Sequence, residues 1–229
     1  MHKQYRKFDK ELIKNDFLRR HYECLPFIGE KYEEHHLLLI GESHYVPTNE
    51  IPLVNRNDFY DISFDDLGQG EYRKWINTRY VFESRVYEKV NFKCFFSNPA
   101  TEIARIINQT SNPSFDQKIA AMHEYAFINY FKRPSYNKGK TITELSCKDY
   151  YYAYNISKEI IEILKPNHII FLSKKAYYAF CDLSKNDEQK QEYTLNCVSH
   201  PCSIWWNRKR KDGKSARQDF YDFLSVVLK

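Results

Sequence analysis

Leu37-Leu38-Leu39-Ile40-Gly41-Glu42-Ser43-His44-Tyr45 decides the fold. Four consecutive aliphatic residues stop at a glycine, and three polar side chains and a tyrosine follow. A short, unbroken apolar run suits a strand buried on both faces, as in a parallel sheet. Three further stretches read as strands: YAFINY at 125–130, HIIFL at 168–172 and YTLNCV at 193–198. Helical spacing fills the intervals. In 142–164 the residues Ile156, Ile160, Ile161 and Leu164 share a face, and Pro166 lies just beyond its end. In 98–110 Asn98 is the expected cap, Pro99 suits the first turn, and Ile103, Ile106 and Ile107 form the stripe. Residues 5–35, 77–92, a run ending at Phe180 and 215–228 also read as helical, whereas 46–75 reads as a long loop insertion and 184–192 as a solvated connection. Strands alternating with helices give an α/β fold with a short, four-stranded, mostly parallel sheet and helices on both faces, in a single domain over 1–229.

Composition narrows the function classes. With 229 residues, 42% apolar and 28% charged, the chain can bury a real core, and six Gly and eight Pro exclude collagen-like or low-complexity chains. No apolar run approaches the ~20 residues of a membrane helix. The opening MHKQYRKFDKELIKND is too charged for the centre of a secretory signal, so a cytoplasmic monomer with no membrane contact is expected. A net charge of +5 permits a nucleic-acid partner without demanding one. Six scattered cysteines with no C-x-x-C pair predict reduced thiols, no metal site and no cofactor.

In such folds ligands sit at the carboxyl ends of the strands. Gly41 lets a ligand or a second backbone approach closely. Glu42, Ser43 and His44 together do not make a hydrolytic triad, because adjacent residues point in different directions. Glu42 reads equally as a ligand contact or as a buried structural carboxylate. Asn129, at the end of an apolar strand, either reads a ligand or closes a turn. The densest signal is CVSHPCSIWWNRKRKDGKSARQ at 197–218. There a His200-Pro201 turn leads through Ser203 to Trp205 and Trp206, then to Arg208, Lys209, Arg210, Lys211, Lys214 and Arg217. Clustered bases beside aromatics suit a loop that contacts phosphates and wedges or stacks on bases. A solvated loop over a buried tryptophan is the plain alternative.

Together these motifs resemble the uracil-DNA glycosylase superfamily. That family has a small four-stranded parallel sheet between helices, a three-layer αβα arrangement. Its first motif, G-Q-D-P-Y or G-E-A-P-G, follows strand one; its last, H-P-S or H-P-A, follows strand four. Here residues 41–45 (GESHY) and 200–203 (HPCS) stand in those places. FINYFKRPSYNKG at 127–139 looks like the branch pattern T-N-V-V-K-C-R-P-P-x-N-R and puts Asn129 at the base-reading position, with Arg133-Pro134 behind it.

The resemblance implies hydrolysis of the N-glycosidic bond of uracil or another deaminated base in single- or double-stranded DNA, with the base everted from its stack. His200 becomes the donor to the departing base, and Ser43 or His44 handles water. Gly41, Glu42, Tyr45 and Asn129 surround the base, and Phe95 or Phe96 stacks on it. Ser203, Trp205, Trp206, Arg208, Lys209 and Arg210 face DNA. Two departures bear on activity. Ser43 stands where one branch has a water-positioning Asp, and His44 replaces the Pro of both branches. The alternatives are a nucleic-acid binder of the same fold without catalysis, or a nucleotide-binding small-molecule hydrolase with 46–75 as its lid.

Overall fold

The computed structural model describes residues 5–46, 58–68, 70–90, 92–135, 141–185, 187 and 192–228. In chain order its helices and strands are α1 (Asp9–Leu12), α2 (Asp16–Arg20), β1 (Phe27–Ile28), α3 (Tyr32–His35), β2 (Leu37–Gly41), α4 (Tyr72–Ile76), α5 (Thr78–Val86), α6 (Cys94–Ile107), α7 (Phe115–Ala121), β3 (Tyr125–Asn129), α8 (Cys147–Leu164), β4 (His168–Phe171), α9 (Lys174–Ser184), β5 (Thr194–Cys197) and α10 (Ala216–Val227). Short 3-10 turns sit between several of them.

The leucine run is the centre of the sheet. β2 pairs in parallel with β3 on one side and β4 on the other, β5 extends the sheet beyond β4, and β1 caps the far edge antiparallel to β3. The sheet therefore has five strands, not four; the extra one is only two residues long. Alternation along β2 divides the core. Leu38 and Ile40 join Ala126, Ile128, Ile169 and Phe171 against Ile156, Ile160 and Ile161 of α8 and Phe180 of α9. Leu37 and Leu39 join Tyr125, Phe127 and Ile170 against Phe82 of α5, Ala100 and Ile103 of α6, and Phe220 and Leu224 of α10. The period of two in a strand sends neighbouring side chains to opposite faces, so one apolar run feeds two helical layers. The result is a three-layer α/β arrangement.

Several expectations need correction. Residues 5–35 are not one helix. The first helical piece ends at Leu12 and Asn15 caps the next, its side chain accepting from the Leu18 N–H at 3.0 Å, and after Pro26 the chain enters β1. Helix α6 begins at Cys94, not near Asn98, with Pro99 inside it; Asn98 instead donates its side-chain amide to the Pro201 carbonyl at 2.8 Å. Helix α8 starts at Cys147, where Ser146 and Asp149 form a capping box. The described part of the 46–75 insertion is folded rather than loose. Phe59, Tyr60, Phe64, Leu67 and Tyr72 are buried in the core, and Tyr60 donates to Asp149 at 2.6 Å. The described part of that expected lid is packed into the core; residues 47–57 and 69 lie outside the described residues. Among the described residues no helix is long and apolar enough to cross a membrane.

Candidate functional site

The carboxyl ends of the parallel strands open onto a cavity of about 640 Å³. It is lined by Glu42, Ser43, His44 and Tyr45 after β2, Asn129 at the end of β3, and His200 and Cys202 after β5. The opposite wall is aromatic: Trp75 from α4, Phe82 from α5, Phe95 and Phe96 from α6, and Phe127 from β3. That size falls within the roughly 300–1,000 Å³ of small-molecule sites.

Gly41 sets the floor. A Cβ there would lie 2.5 Å from Asn129 Oδ1 and 2.7 Å from Phe127 Cζ, so only glycine lets the Asn129 side chain cross the neighbouring strand. Among the described residues nothing hydrogen-bonds the Asn129 amide, while its backbone carbonyl accepts from Lys132 Nζ at 2.9 Å. Glu42 is a tether. Its carboxylate accepts from Ser173 Oγ at 2.8 Å, from the Ile142 N–H at 3.0 Å and from the Thr141 hydroxyl, joining the ends of β2 and β4 to residues 141–142. Arg133, behind Asn129, is also structural: it is buried, with Nε on Asp149 at 2.6 Å and further bonds to the Thr143 and Glu144 carbonyls. The last four residues of the quoted 127–139 segment, 136–139, lie outside the described residues.

Two histidines face this cavity with different constraints. His44 is buried with Nε2 2.9 Å from Thr78 Oγ1, and burial lowers its pKa to about 4, against a hydrogen bond to the Trp75 backbone that raises it. At neutral pH it is an uncharged, weakly basic ring. His200 is also lowered by burial, opposed by the Glu42 charge. Its Nδ1 accepts the Cys202 backbone N–H at 3.2 Å, so the neutral ring carries its proton on Nε2. Phe95 stacks on this imidazole (centroids 5.3 Å apart, planes at 28°), and Tyr45 meets its edge at 6.2 Å. Ser43 Oγ is buried with no hydrogen-bond partner among the described residues.

The cysteine expectation is overturned at one pair. Cys94, the first residue of α6, and Cys202, two residues beyond His200, form a disulfide with Cα atoms 5.4 Å apart. Together with the bond from Asn98 to Pro201 it straps the His-Pro turn onto the start of α6. Cys24, Cys147, Cys181 and Cys197 are free thiols.

The basic segment is only partly available to a partner. Trp206 is 1% exposed and packs on Phe220 at 5.5 Å, so its expected place against DNA is wrong: it is core. Trp205 is 50% exposed, with the Arg208 guanidinium 4.8 Å from its ring centroid. Arg210 is spent on Asp219 and Asp212, which removes it as a free phosphate contact, and Lys214 and Arg217 pair with Asp222 and Glu102. Among the described residues Arg208 and Lys209 have no acidic partner. The Ser203 hydroxyl is buried and without a partner among the described residues, so it points inward rather than toward a strand. Ile204, unremarked in the sequence, is 71% exposed beside Trp205. Trp75 and Arg85 were also missed, since neither has any motif that distinguishes it from an ordinary helical residue.

A second cavity, of about 720 Å³, lies at the amino ends of β2 and β3 and is lined by Lys31, Glu34, His35 and Glu124 among others. Glu34, His35 and Glu124 could hold a cation, but Glu124 is already engaged by Lys31 at 3.0 Å and His35 at 3.1 Å. The chain matches no known protein family, and no curated protein matches it either.

Proposed function

We propose that this chain is a uracil-DNA glycosylase-like hydrolase that removes uracil or another deaminated base from DNA. The observation that carries this reading is the shared cavity: an amide, an imidazole with Nε2–H and a hydroxyl-bearing turn, from three distant segments, line one aromatic hollow. The order of the motifs on the strands supports it further. GESHY follows the first parallel strand, Asn129 ends the second, Ser173 begins the helix after the third, and His200-Pro201 follows the fourth.

In this chemistry the everted base enters the cavity. Asn129 hydrogen-bonds its edge, and Phe95 or Phe96 covers its face. As the glycosidic C–N bond breaks, the electron pair leaves with the base, and the His200 Nε2–H stabilises the negative charge developing on the base oxygen. Burial favours the neutral imidazole, which with Nδ1 accepting from Cys202 still has its Nε2–H to donate. Water adds to the sugar carbon and its proton passes through solvent to the departing base anion, giving the abasic sugar and the free neutral base; Ser43 orients that water, with His44 beside it. Ile204 enters the vacated stack, while Arg208 and Lys209 hold phosphates. Incubation with oligonucleotides carrying uracil, hypoxanthine or xanthine, followed by alkaline cleavage, tests this. Strand scission is the expected result; no abasic product from any base at stoichiometric protein refutes it.

One observation favours a second reading, a nucleic-acid binder without catalysis. Neither Ser43, whose hydroxyl has no basic partner among the described residues, nor His44, held neutral against Thr78, is a strong base at neutral pH. That reading expects salt-dependent DNA binding without product.

A further inference from the structure

Two cations in the cavity wall, Arg85 and Lys93, are not used by this chemistry. Arg85 of α5 is 6% exposed and lines the same hollow. Its guanidinium lies 5.1 Å from the centroid of the Phe96 ring, and its Nη1 donates to the Ser84 hydroxyl. Among the described residues its Nε has no hydrogen-bond partner and no carboxylate lies within ion-pair distance; the Glu88 charge acts on it only from farther off. A buried guanidinium stays charged, and leaving it uncompensated is costly unless a ligand supplies the missing acceptor. Two neighbours add to the positive field. Lys93 lines the cavity with its ammonium 5.5 Å from the Trp75 ring centroid. Lys93 also caps α6 without a side-chain bond to the first turn, and Cys94 and Phe95 of that turn face the cavity. The N–H groups of an open first turn attract anions. Among the described residues the one carboxylate in the cavity wall, Glu42, is held by three donors of its own.

We propose that Arg85, with Lys93 and the start of α6, forms an anion subsite, and that the ligand is a nucleoside phosphate: a planar base among the aromatic rings with its phosphate ester on the Arg85 guanidinium. A planar fork of donors matches phosphate oxygens, and the aromatic wall beside it matches a base. This rests on the cavity being the substrate site proposed above, yet the two fail separately, since excision is read as abasic DNA and anion recognition as affinity.

Calorimetric titration of the full chain with deoxyuridine, deoxyuridine 5′-monophosphate and a single-stranded oligonucleotide carrying one uracil tests it. Arg85→Gln should weaken at least one phosphate-bearing ligand by about 10-fold or more, the size of a charged hydrogen bond, and leave deoxyuridine unchanged. Arg85→Lys should recover part of the loss. Whichever phosphate-bearing ligand depends on Arg85 identifies the source, free nucleotide or strand. Should the glutamine variant fold poorly, sulfate competition in the unaltered chain decides: sulfate must displace the phosphate-bearing ligand and spare deoxyuridine. Loss of deoxyuridine in step with the others, no loss for either phosphate-bearing ligand, or no binding by any of the three overturns the proposal.

Discussion

Reduction of the Cys94–Cys202 bond should unstrap the His200 turn and lower the stability of the whole chain. The cysteines are 108 residues apart, and α6, β3, α8 and β4 all lie between them. Cross-linking a loop of that length removes chain entropy from the unfolded state worth about 4.7 kcal/mol, when loop closure alone is counted. For a chain of this size each kcal/mol moves the melting temperature by roughly 2–4 °C, so a fall of about 9–19 °C is expected. The paired variant Cys94→Ser/Cys202→Ser should melt where the reduced parent does, and dithiothreitol should leave it unaffected. Circular dichroism melts of the four samples read this directly. Function should fall more than stability alone demands at 25 °C. The amide of Cys202 holds His200 Nδ1, and with the bond gone the turn keeps the Asn98 to Pro201 hydrogen bond and the Phe95 stack on His200 as ties to α6 but loses its covalent one. Identical melts for oxidised parent, reduced parent and the double variant refute the strap.

Four further outcomes follow from individual residues. Gly41→Ala puts a methyl group against Asn129 Oδ1 and Phe127, so it should cost about 1–3 kcal/mol in urea denaturation and impair base recognition more than DNA binding; a variant with unaltered excision contradicts the crowding. His44 has a folded pKa of about 4, below its unfolded value of roughly 6.5. The unfolded chain therefore takes up the proton first, and stability should fall as pH drops from 6.5 toward 4, by on the order of 2–3 kcal/mol, a slope that His44→Gln removes; equal slopes in both proteins would refute it. Trp206→Ala should cost about 3–5 kcal/mol through its buried site, whereas Trp205→Ala leaves urea stability nearly unchanged and weakens DNA binding. On the same loop Arg208→Ala should flatten the salt dependence of DNA binding by about one phosphate contact, and Arg210→Ala by less, because Asp212 and Asp219 already neutralise it.

The sheet was legible because strand burial has a local signature. Residues 37–40 are apolar without interruption since both faces of β2 are covered, and the ends of β3, β4 and β5 fall within two residues of their expected places. The short edge strand β1 carries no such signature: two residues contribute too little pattern, and its pairing with β3 is a tertiary fact. The start of α6 was misplaced because Asn98 and Pro99 are good first-turn residues in isolation, whereas packing of Phe96 against Phe82 carries the helix one turn further back. Asn129 and His200 stood at strand ends and could be singled out. The cavity's other wall could not, since Trp75, Phe82 and Arg85 sit on helices with nothing local to say which way they face. Trp205 and Trp206 are adjacent, and only the turn of the 3-10 segment sends one into the core and the other to solvent. The disulfide was invisible for the reason that makes it strong: its cysteines are far apart in sequence.

The central claim is that an everted base occupies the hollow between Asn129 and His200. A crystal structure of the chain with an oligonucleotide carrying a cleavage-resistant 2′-fluorinated deoxyuridine addresses it directly. The account predicts the uracil ring inside the cavity, its edge on the Asn129 amide, an oxygen facing His200 Nε2, and Ile204 in the vacated stack. A uracil still stacked in its strand, or DNA bound elsewhere with the cavity empty, contradicts it.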